Sequence, residues 1–285
     1  MSKLSNRFQV VILERISMID QHHAEVLLET LAESNTIAEL NSNLTKICNH
    51  YNIDKFSITT FFNMEQPTKG FDYFETYPPE WVAHYVENQY YLHDPAHGWG
   101  KIRMPFSWDG SKLENLTPIQ SKMFYEAHDF NVKAGTTISL LPRQEEQSFL
   151  TILDVMHPHP EITNTLTMAA QLYWNTKRIL DAKHTLSIFT TRELEVLFFK
   201  SQGMPIKVVA DRLAISESTV IFHLKNARHK LNASSVDHTL FLFGKALAQS
   251  SQNGFKRKYS SLSNSILTQD TGNNECELNM LLAAA

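Results

Sequence analysis

The spacing of the apolar residues changes once along the chain, and this change separates two kinds of fold. Up to about residue 180, short stretches rich in β-branched and aromatic residues alternate with helical patterns. From residue 187 to residue 250 the strand signals stop and only helical spacing remains. A chain of 285 residues is long enough for two domains. We therefore expect an α/β domain followed by an all-α domain.

The first domain is predicted over residues 1–180. Helical spacing covers residues 8–32, 37–50, 79–91, 116–130 and 163–184. Strand patterns bounded by Gly, Pro and Asn cover residues 53–62, 71–77, 136–141 and 149–155. Amphipathic helices must bury an apolar stripe, and a sheet offers the matching surface. These patterns predict an antiparallel sheet covered by helices.

The rest of the chain is predicted as a linker (181–188), a four-helix domain (189–250) and a polar tail (251–285). The tail is rich in Ser, Asn, Gln and Thr, a composition typical of disorder. The longest apolar runs are far shorter than the ~20 residues that cross a bilayer. The N-terminus lacks the apolar core of a signal peptide. We therefore expect a cytoplasmic protein.

Charge is divided unevenly between the two parts. Residues 1–186 contain 15 Lys and Arg against 22 Asp and Glu, whereas residues 187–250 contain 8 against 5. A basic module on an acidic body favours an anionic partner, and nucleic acid is the leading candidate.

The helical module contains clear signals for where its helices begin and end. Thr190 and Glu193 have the spacing of a capping box, and Gly203 is placed to end the first helix. Pro205 suits the first turn of a second helix, and Ser216 suits the cap of a third. The third helix has inward positions at spacings of four, three and four, namely Val220, Leu224, Ala227 and Leu231. The pattern indicates a helix-turn-helix, whose second helix fits the major groove of DNA.

The same residues closely resemble the C-terminal DNA-binding domain of LuxR-type regulators. The matching motifs are Thr191-Arg192-Glu193-x-Glu195-Val196-Leu197, Gly203, and Ile215-Ser216-Glu217-Ser218-Thr219-Val220-x-x-His223-Leu224-Lys225-Asn226-Ala227-x-x-Lys230-Leu231. This resemblance implies a set of DNA-binding residues on the third helix: Ser218, Thr219, Ile221, Phe222, Lys225, Arg228 and His229.

Individual DNA contacts can be assigned provisional roles. Lys225 could reach a guanine edge or a phosphate, and an apolar side chain at Ile221 could touch a thymine methyl group. The family usually has Lys or Arg where this chain has Ile221, so its base preference is left open. Arg212, Arg228 and Lys230 are predicted to contact phosphates.

An aromatic stretch stands out in the α/β domain. Trp81 and Tyr85 are four residues apart on one predicted helix, Tyr77 precedes that helix, and Asp94 follows it. A buried carboxylate is costly unless it is hydrogen-bonded, and indole and phenol groups are donors. Taken alone, this composition favours an aromatic core in which Asp94 caps a turn.

The spacing of these residues, however, is similar to the ligand-binding domain of LuxR-type acyl-homoserine-lactone receptors. The matching residues are Tyr77, Trp81, Tyr85, Asp94-Pro95, Pro105-Phe106-Ser107-Trp108 and Ala134-Gly135-Thr136-Thr137. The resemblance implies that Trp81 donates to the lactone carbonyl, Asp94 accepts from the ligand amide, and Tyr77 donates to the acyl carbonyl. Tyr85 and Trp108 would wall the headgroup, and Thr151 would add a polar contact or serve only as a strand residue. Phe61, Leu92 and Phe106 are predicted around the acyl chain.

The sequence thus predicts a transcription regulator that binds an N-acyl-homoserine lactone and, as a homodimer, a palindromic site on double-stranded DNA. The transcription machinery is a further candidate partner, and no membrane partner is expected. We expect no catalytic residues, cofactor or metal, and His157-Pro158-His159 lacks the partners of a metal site. One alternative is a LuxR-type regulator that responds to a different small molecule or acts without a ligand. A second is an enzyme with an accessory DNA-binding domain.

Overall fold

The computed structural model describes residues 22–62, 71–95, 104–140 and 146–250. The chain divides into two compact units, of which the first ends at Thr176 and the second begins at Lys177. Most of the predicted helix 8–32 and the whole predicted tail lie outside the described residues. Among the described residues, no helix combines the length and apolar character needed to cross a bilayer.

The first unit contains a five-stranded antiparallel sheet and several helices. Its elements are α1 (22–32), α2 (Ile37–His50), β1 (Phe56–Phe61), β2 (Phe71–Glu75), α3 (Pro79–Glu87), a 3-10 helix (Tyr90–Leu92), β3 (Phe106–Asp109), α4 (Pro118–Asp129), β4 (Ala134–Ser139) and β5 (Gln147–Leu153). The helix α5 (Pro160–Ser187) begins in this unit and continues past Thr176 into the second. The strand order is β2-β1-β5-β4-β3. The predicted fold class is confirmed.

The two faces of the sheet have different roles because successive side chains point to opposite sides of a strand. On one face, Phe56 and Ile58 are fully buried, and Phe74 stacks on Tyr173 of α5 with ring centroids 6.4 Å apart. The Tyr173 hydroxyl donates to Asn41 of α2 at 2.8 Å. This face therefore carries the main core of the unit, and the other face is available for a site.

Three local predictions differ from the structure. The helix predicted over 79–91 ends at Glu87, because Gln89 adopts a left-handed conformation with φ 54° that interrupts it. The strand β3 was not predicted as a strand, since four residues are too few to show a period. The segment predicted as a linker, 181–188, is helical as far as Ser187.

The second unit contains the four predicted helices, α6 (Thr191–Ser201), α7 (Ile206–Leu213), α8 (Glu217–Lys230) and α9 (Val236–Ser250). The capping box is confirmed: Thr190 Oγ1 accepts from the Glu193 N–H, and Glu193 Oε2 accepts from the Thr190 N–H. Gly203 ends α6 with φ 79°, which explains why glycine is placed there. The helices share a core that includes Val196, Leu197, Val209, Val220, Leu224 and Phe243.

Candidate functional site

The second face of the sheet forms one wall of a cavity, and α3 and α4 supply other walls. The cavity has a volume of about 130 Å³, many times what a single water molecule needs. All six residues predicted to bind a ligand line this cavity: Tyr77, Trp81, Tyr85, Asp94, Trp108 and Thr151. Residues that are scattered over 75 positions of sequence therefore converge on one space.

A row of hydroxyl groups crosses the sheet wall of the cavity. Strand register places Ser57 of β1 opposite Thr151 of β5, and Thr151 opposite Thr137 of β4. The Thr137 and Thr151 hydroxyls are hydrogen-bonded at 3.1 Å. The Trp108 indole N–H donates to Thr137 Oγ1, also at 3.1 Å. This row gives the cavity groups that can both donate and accept.

Asp94 and the two phenols form the most polar part of the cavity. The Tyr85 hydroxyl donates to Asp94 Oδ2 at 2.9 Å, and the Tyr77 hydroxyl lies 3.2 Å from Ser57 Oγ. The prediction for Tyr85 was a wall of the headgroup, and the structure adds that it holds the carboxylate. A fixed carboxylate is prepared to accept a hydrogen bond from a ligand N–H.

Both phenols are held in their neutral form. Burial raises the pKa of Tyr85 well above its usual value, and the negative charge of Asp94 raises it further. Burial likewise raises the pKa of Tyr77, although the hydrogen bond with Ser57 opposes this. The two hydroxyls therefore remain donors throughout the physiological pH range.

Trp81 is buried against the cavity and its ring is packed on several sides. The indole is 4% exposed, and its ring centroid lies 5.7 Å from Tyr85 and 5.6 Å from Phe130. Trp81 lines the cavity. An indole N–H beside a cavity favours a ligand acceptor there, because Trp offers only a donor.

A hydrogen-bonded network behind Trp81 fixes the helix that carries it. Glu126 of α4 contacts His84 Nε2 at 2.7 Å and accepts from the Tyr90 hydroxyl. His84 stacks on Phe130 at 5.7 Å. Hydrogen bonds from Tyr90 and His84 lower the pKa of Glu126, so this carboxylate is ionised at neutral pH. The network joins α3, the 3-10 helix and α4.

One end of the cavity is aromatic. Phe71 lies with its ring centroid 5.8 Å from Phe61 and 5.3 Å from Tyr91. Phe61 also contacts Phe149, at 6.2 Å. This end suits the apolar part of a ligand, whereas the hydroxyl row and Asp94 suit its polar headgroup.

Sequence reasoning missed several cavity residues. Ser57, Glu75 and Thr137 supply polar groups, and strand alternation on β1, β2 and β4 would have found them once the register was known. Three residues were predicted around the acyl chain of the ligand. Of these, Phe61 lines the cavity, but Leu92 and Phe106 are not part of its wall. Phe106 packs against the buried cluster that contains Trp81 and Trp108, both of which line the cavity.

In the second unit, α8 presents the predicted DNA-binding side chains on its outer surface. Ile221 and Phe222 are 52% and 58% exposed, which is unusual for large apolar residues. Ser218, Lys225 and His229 are also exposed, while Thr219 and Arg228 are partly buried. The hydroxyls of Ser218 and Thr219 both lie within 2.8 Å of the capping Ser216 Oγ.

Lys230 has a structural role that the sequence did not indicate. Its ammonium group donates to Glu193 Oε2 at 2.7 Å and to the Ile188 carbonyl at 2.9 Å. Burial alone would raise the pKa of Glu193, but hydrogen bonds from Lys230 and Thr190 outweigh it and lower the pKa. Lys230 therefore ties α8 to the start of α6, and its phosphate contact stays a prediction.

We expect Lys230→Met to lower the free energy of unfolding of the second unit by about 3 kcal/mol, because a buried carboxylate loses its partner. Because the pKa of Glu193 is lower in the folded unit than in the unfolded chain, the ionised carboxylate stabilises the folded unit. This stabilisation is fully present above the pKa of the unfolded chain and is lost as the pH falls. The effect of the substitution should therefore shrink as the pH falls through the lowered pKa of Glu193, where this carboxylate takes up a proton.

Hydrogen exchange of peptides from residues 190–250 measures this effect, and Lys245→Met on the exposed surface of α9 is the matched control. Equal protection of the two variants at neutral pH would contradict a stabilising role for the Lys230–Glu193 pair.

Within the described ranges, no group of three or more His, Cys, Asp and Glu side chains could hold a metal ion.

Comparison with known proteins assigns both units to described families. Residues 36–182 match the model of the autoinducer binding domain, and residues 187–240 match that of bacterial regulatory proteins of the luxR family. The transcriptional activator protein CarR of Pectobacterium carotovorum is 26% identical, over 64% of this chain and 82% of its own. The quorum-sensing regulator RhlR of Pseudomonas aeruginosa is 29% identical, over 55% of this chain and 68% of its own.

Solved structures share the fold. Escherichia coli SdiA superposes with a TM-score of 0.52 at 18% identity, covering 79% of this chain and 97% of SdiA. SdiA in complex with octanoyl-rac-glycerol gives 0.51 at 19% identity, over 79% and 94% of the two chains.

Proposed function

The chain belongs to the luxR family of bacterial transcription regulators and carries that family's autoinducer-binding domain, and we propose that its ligand is an N-acyl-homoserine lactone. The observation that carries this proposal is that an acceptor, Asp94, and two donors, Tyr77 and Trp81, line one cavity that has an aromatic end. A neutral ligand with one amide N–H, two carbonyls and an apolar chain complements this set. The family consists of regulators, so the enzyme alternative is dropped.

In the proposed complex each polar group of the ligand has one partner. Asp94 accepts the amide N–H, Tyr77 donates to the acyl carbonyl, and Trp81 donates to the lactone carbonyl. Trp108 walls the headgroup, while Thr151 adds a hydroxyl. Tyr85 acts through Asp94, since its hydroxyl already donates to that carboxylate.

Mass spectrometry of small molecules extracted from purified protein tests the ligand class. We expect an unmodified N-acyl-homoserine lactone when the protein is produced in a strain that makes one. Repeated recovery of a different molecule, at one molecule per protein chain, would contradict a lactone ligand.

A second candidate ligand class is a monoacylglycerol. It is favoured by the shared fold with SdiA, which has been solved with octanoyl-rac-glycerol. Such a ligand lacks an amide but offers hydroxyl donors to Asp94. The same mass spectrometry separates the two classes.

We also propose that the chain binds DNA as a homodimer, with α8 in the major groove. The support is the exposed polar and apolar surface of α8, which includes Ile221, Phe222 and Lys225. One short helix contacts few base pairs. A dimer extends the site because its two copies of α8 bind two half-sites about one turn of the DNA apart. Selection from random duplex DNA should therefore recover a palindrome, whereas an asymmetric single site would contradict the dimer.

Lys225→Ala is expected to weaken binding to the selected duplex about tenfold, because an exposed lysine on the proposed recognition surface loses a base or phosphate contact. If the contact is to a phosphate, the slope of log affinity against log salt concentration should fall by about 0.9. Fluorescence anisotropy titrations at several salt concentrations measure both quantities.

The control is Lys245→Ala, which removes the same charge from α9 of the same unit. If both variants weaken binding equally at every salt concentration, the effect comes from net charge and not from a contact on α8.

A further inference from the structure

Glu75 is a second carboxylate in the ligand cavity. It is the last residue of β2, an outer strand of the sheet, and it lines the cavity together with Tyr77 and Asp94. The residue is partly buried, and strand register places it opposite Ser57. None of the roles assigned above uses this side chain.

The carboxylate is fixed in position by the backbone. Glu75 Oε2 accepts from the Tyr77 N–H at 2.9 Å, which leaves Oε1 without a hydrogen bond among the described residues. Burial raises the pKa of Glu75, although the bond from Tyr77 opposes this. A carboxylate that has lost part of its hydration is stabilised by a new donor.

The position of Glu75 relates it to one part of the proposed ligand. Ser57, its cross-strand neighbour, contacts the Tyr77 hydroxyl at 3.2 Å. In the proposed complex that hydroxyl binds the acyl carbonyl. Glu75 therefore lies beside the first carbons of the acyl chain, between the polar headgroup and the aromatic end.

We propose that Glu75 makes the cavity selective for an acyl chain that carries a hydroxyl group near the amide. The hydroxyl donates to the carboxylate, whereas a ketone at the same carbon presents only lone pairs to it. An unsubstituted chain offers no donor, so the carboxylate must keep a water molecule or lose a hydrogen bond. This inference rests on the proposed lactone ligand.

The test compares three N-acyl-homoserine lactones of one chain length, with a 3-hydroxy, a 3-oxo or an unsubstituted chain. The full chain should bind the 3-hydroxy form about tenfold more tightly than either of the others. In Glu75→Gln, which keeps the acceptor for the Tyr77 N–H, this ratio should fall to about threefold or less because the charge is lost.

The ratio of affinities within each variant is the readout, so a general effect of the substitution on folding or binding cancels. Glu87→Gln, an exposed carboxylate at the end of α3 and away from the cavity, should keep the tenfold ratio.

The outcomes separate this inference from the ligand class itself. Equal affinity for the three forms, or preference for the 3-oxo form, would overturn the role of Glu75 and leave the lactone ligand standing. A tenfold ratio that persists in Glu75→Gln would assign the selectivity to another residue. Failure of all three forms to bind at every chain length would overturn both proposals.

Discussion

The Asp94→Asn variant is expected to bind an N-acyl-homoserine lactone 10- to 100-fold more weakly than the natural chain. Asparagine keeps the size of the side chain and one acceptor oxygen but removes the charge. Its one acceptor oxygen cannot serve both the Tyr85 hydroxyl and the ligand N–H, so one charge-assisted hydrogen bond of about 1.5 to 3 kcal/mol is lost. The Tyr85 hydroxyl, which donates to Asp94 Oδ2, also loses its charged acceptor.

Quenching of tryptophan fluorescence on titration with ligand measures this loss, because Trp81 and Trp108 both line the cavity. Asp129→Asn, an exposed carboxylate at the end of α4, is the matched control and should bind normally. If Asp94→Asn bound the lactone with unchanged affinity, Asp94 would not be the amide acceptor.

Gly135→Ala is expected to destabilise the first unit by about 3 kcal/mol or more. A Cβ atom at this position would lie 2.3 Å from the Ile152 carbonyl oxygen and 3.3 Å from the Leu153 Cα. Both contacts are with the backbone of β5, so no side-chain rotation relieves them. The strands β4 and β5 must separate locally, which also displaces Thr137 and Thr151 in the cavity wall.

Chemical denaturation followed by tryptophan fluorescence measures this effect, because all four tryptophans precede Thr176. The control is Gly244→Ala in α9 of the second unit, where an added Cβ meets nothing within 4 Å, and it should leave this unfolding transition of the first unit unchanged. An equally mild effect at Gly135 would mean that β4 and β5 are not packed as described.

The parts of the fold that sequence predicts well are those set by local chemistry. Thr190 and Glu193 satisfy each other's backbone groups over three residues, and both hydrogen bonds form. Gly203 has the positive φ that ends a helix. In contrast, the four-residue strand β3 owes its structure to pairing with β4, which leaves no periodic signal in the sequence.

The candidate site likewise has one part that local sequence predicts and one part that depends on the folded sheet. The aromatic and acidic residues between Tyr77 and Asp94 are close in sequence, and their spacing already pointed to one site. The hydroxyl row and Glu75 depend on the register of strands far apart in the chain, which only the folded sheet fixes. The pairing of Lys230 with Glu193 was not predicted, because the two residues lie 37 positions apart in the sequence.

Thermal melting of the purified chain against N-acyl-homoserine lactones of increasing chain length tests the central proposal most directly. A ligand that binds only the folded state raises the melting temperature with its concentration and affinity. We expect a rise that depends on chain length, because the aromatic end of the cavity has a finite size, and that is much reduced in Asp94→Asn. No rise with any member of the series, in protein that is folded and free of bound ligand, would contradict the proposal that this cavity binds an acyl-homoserine lactone.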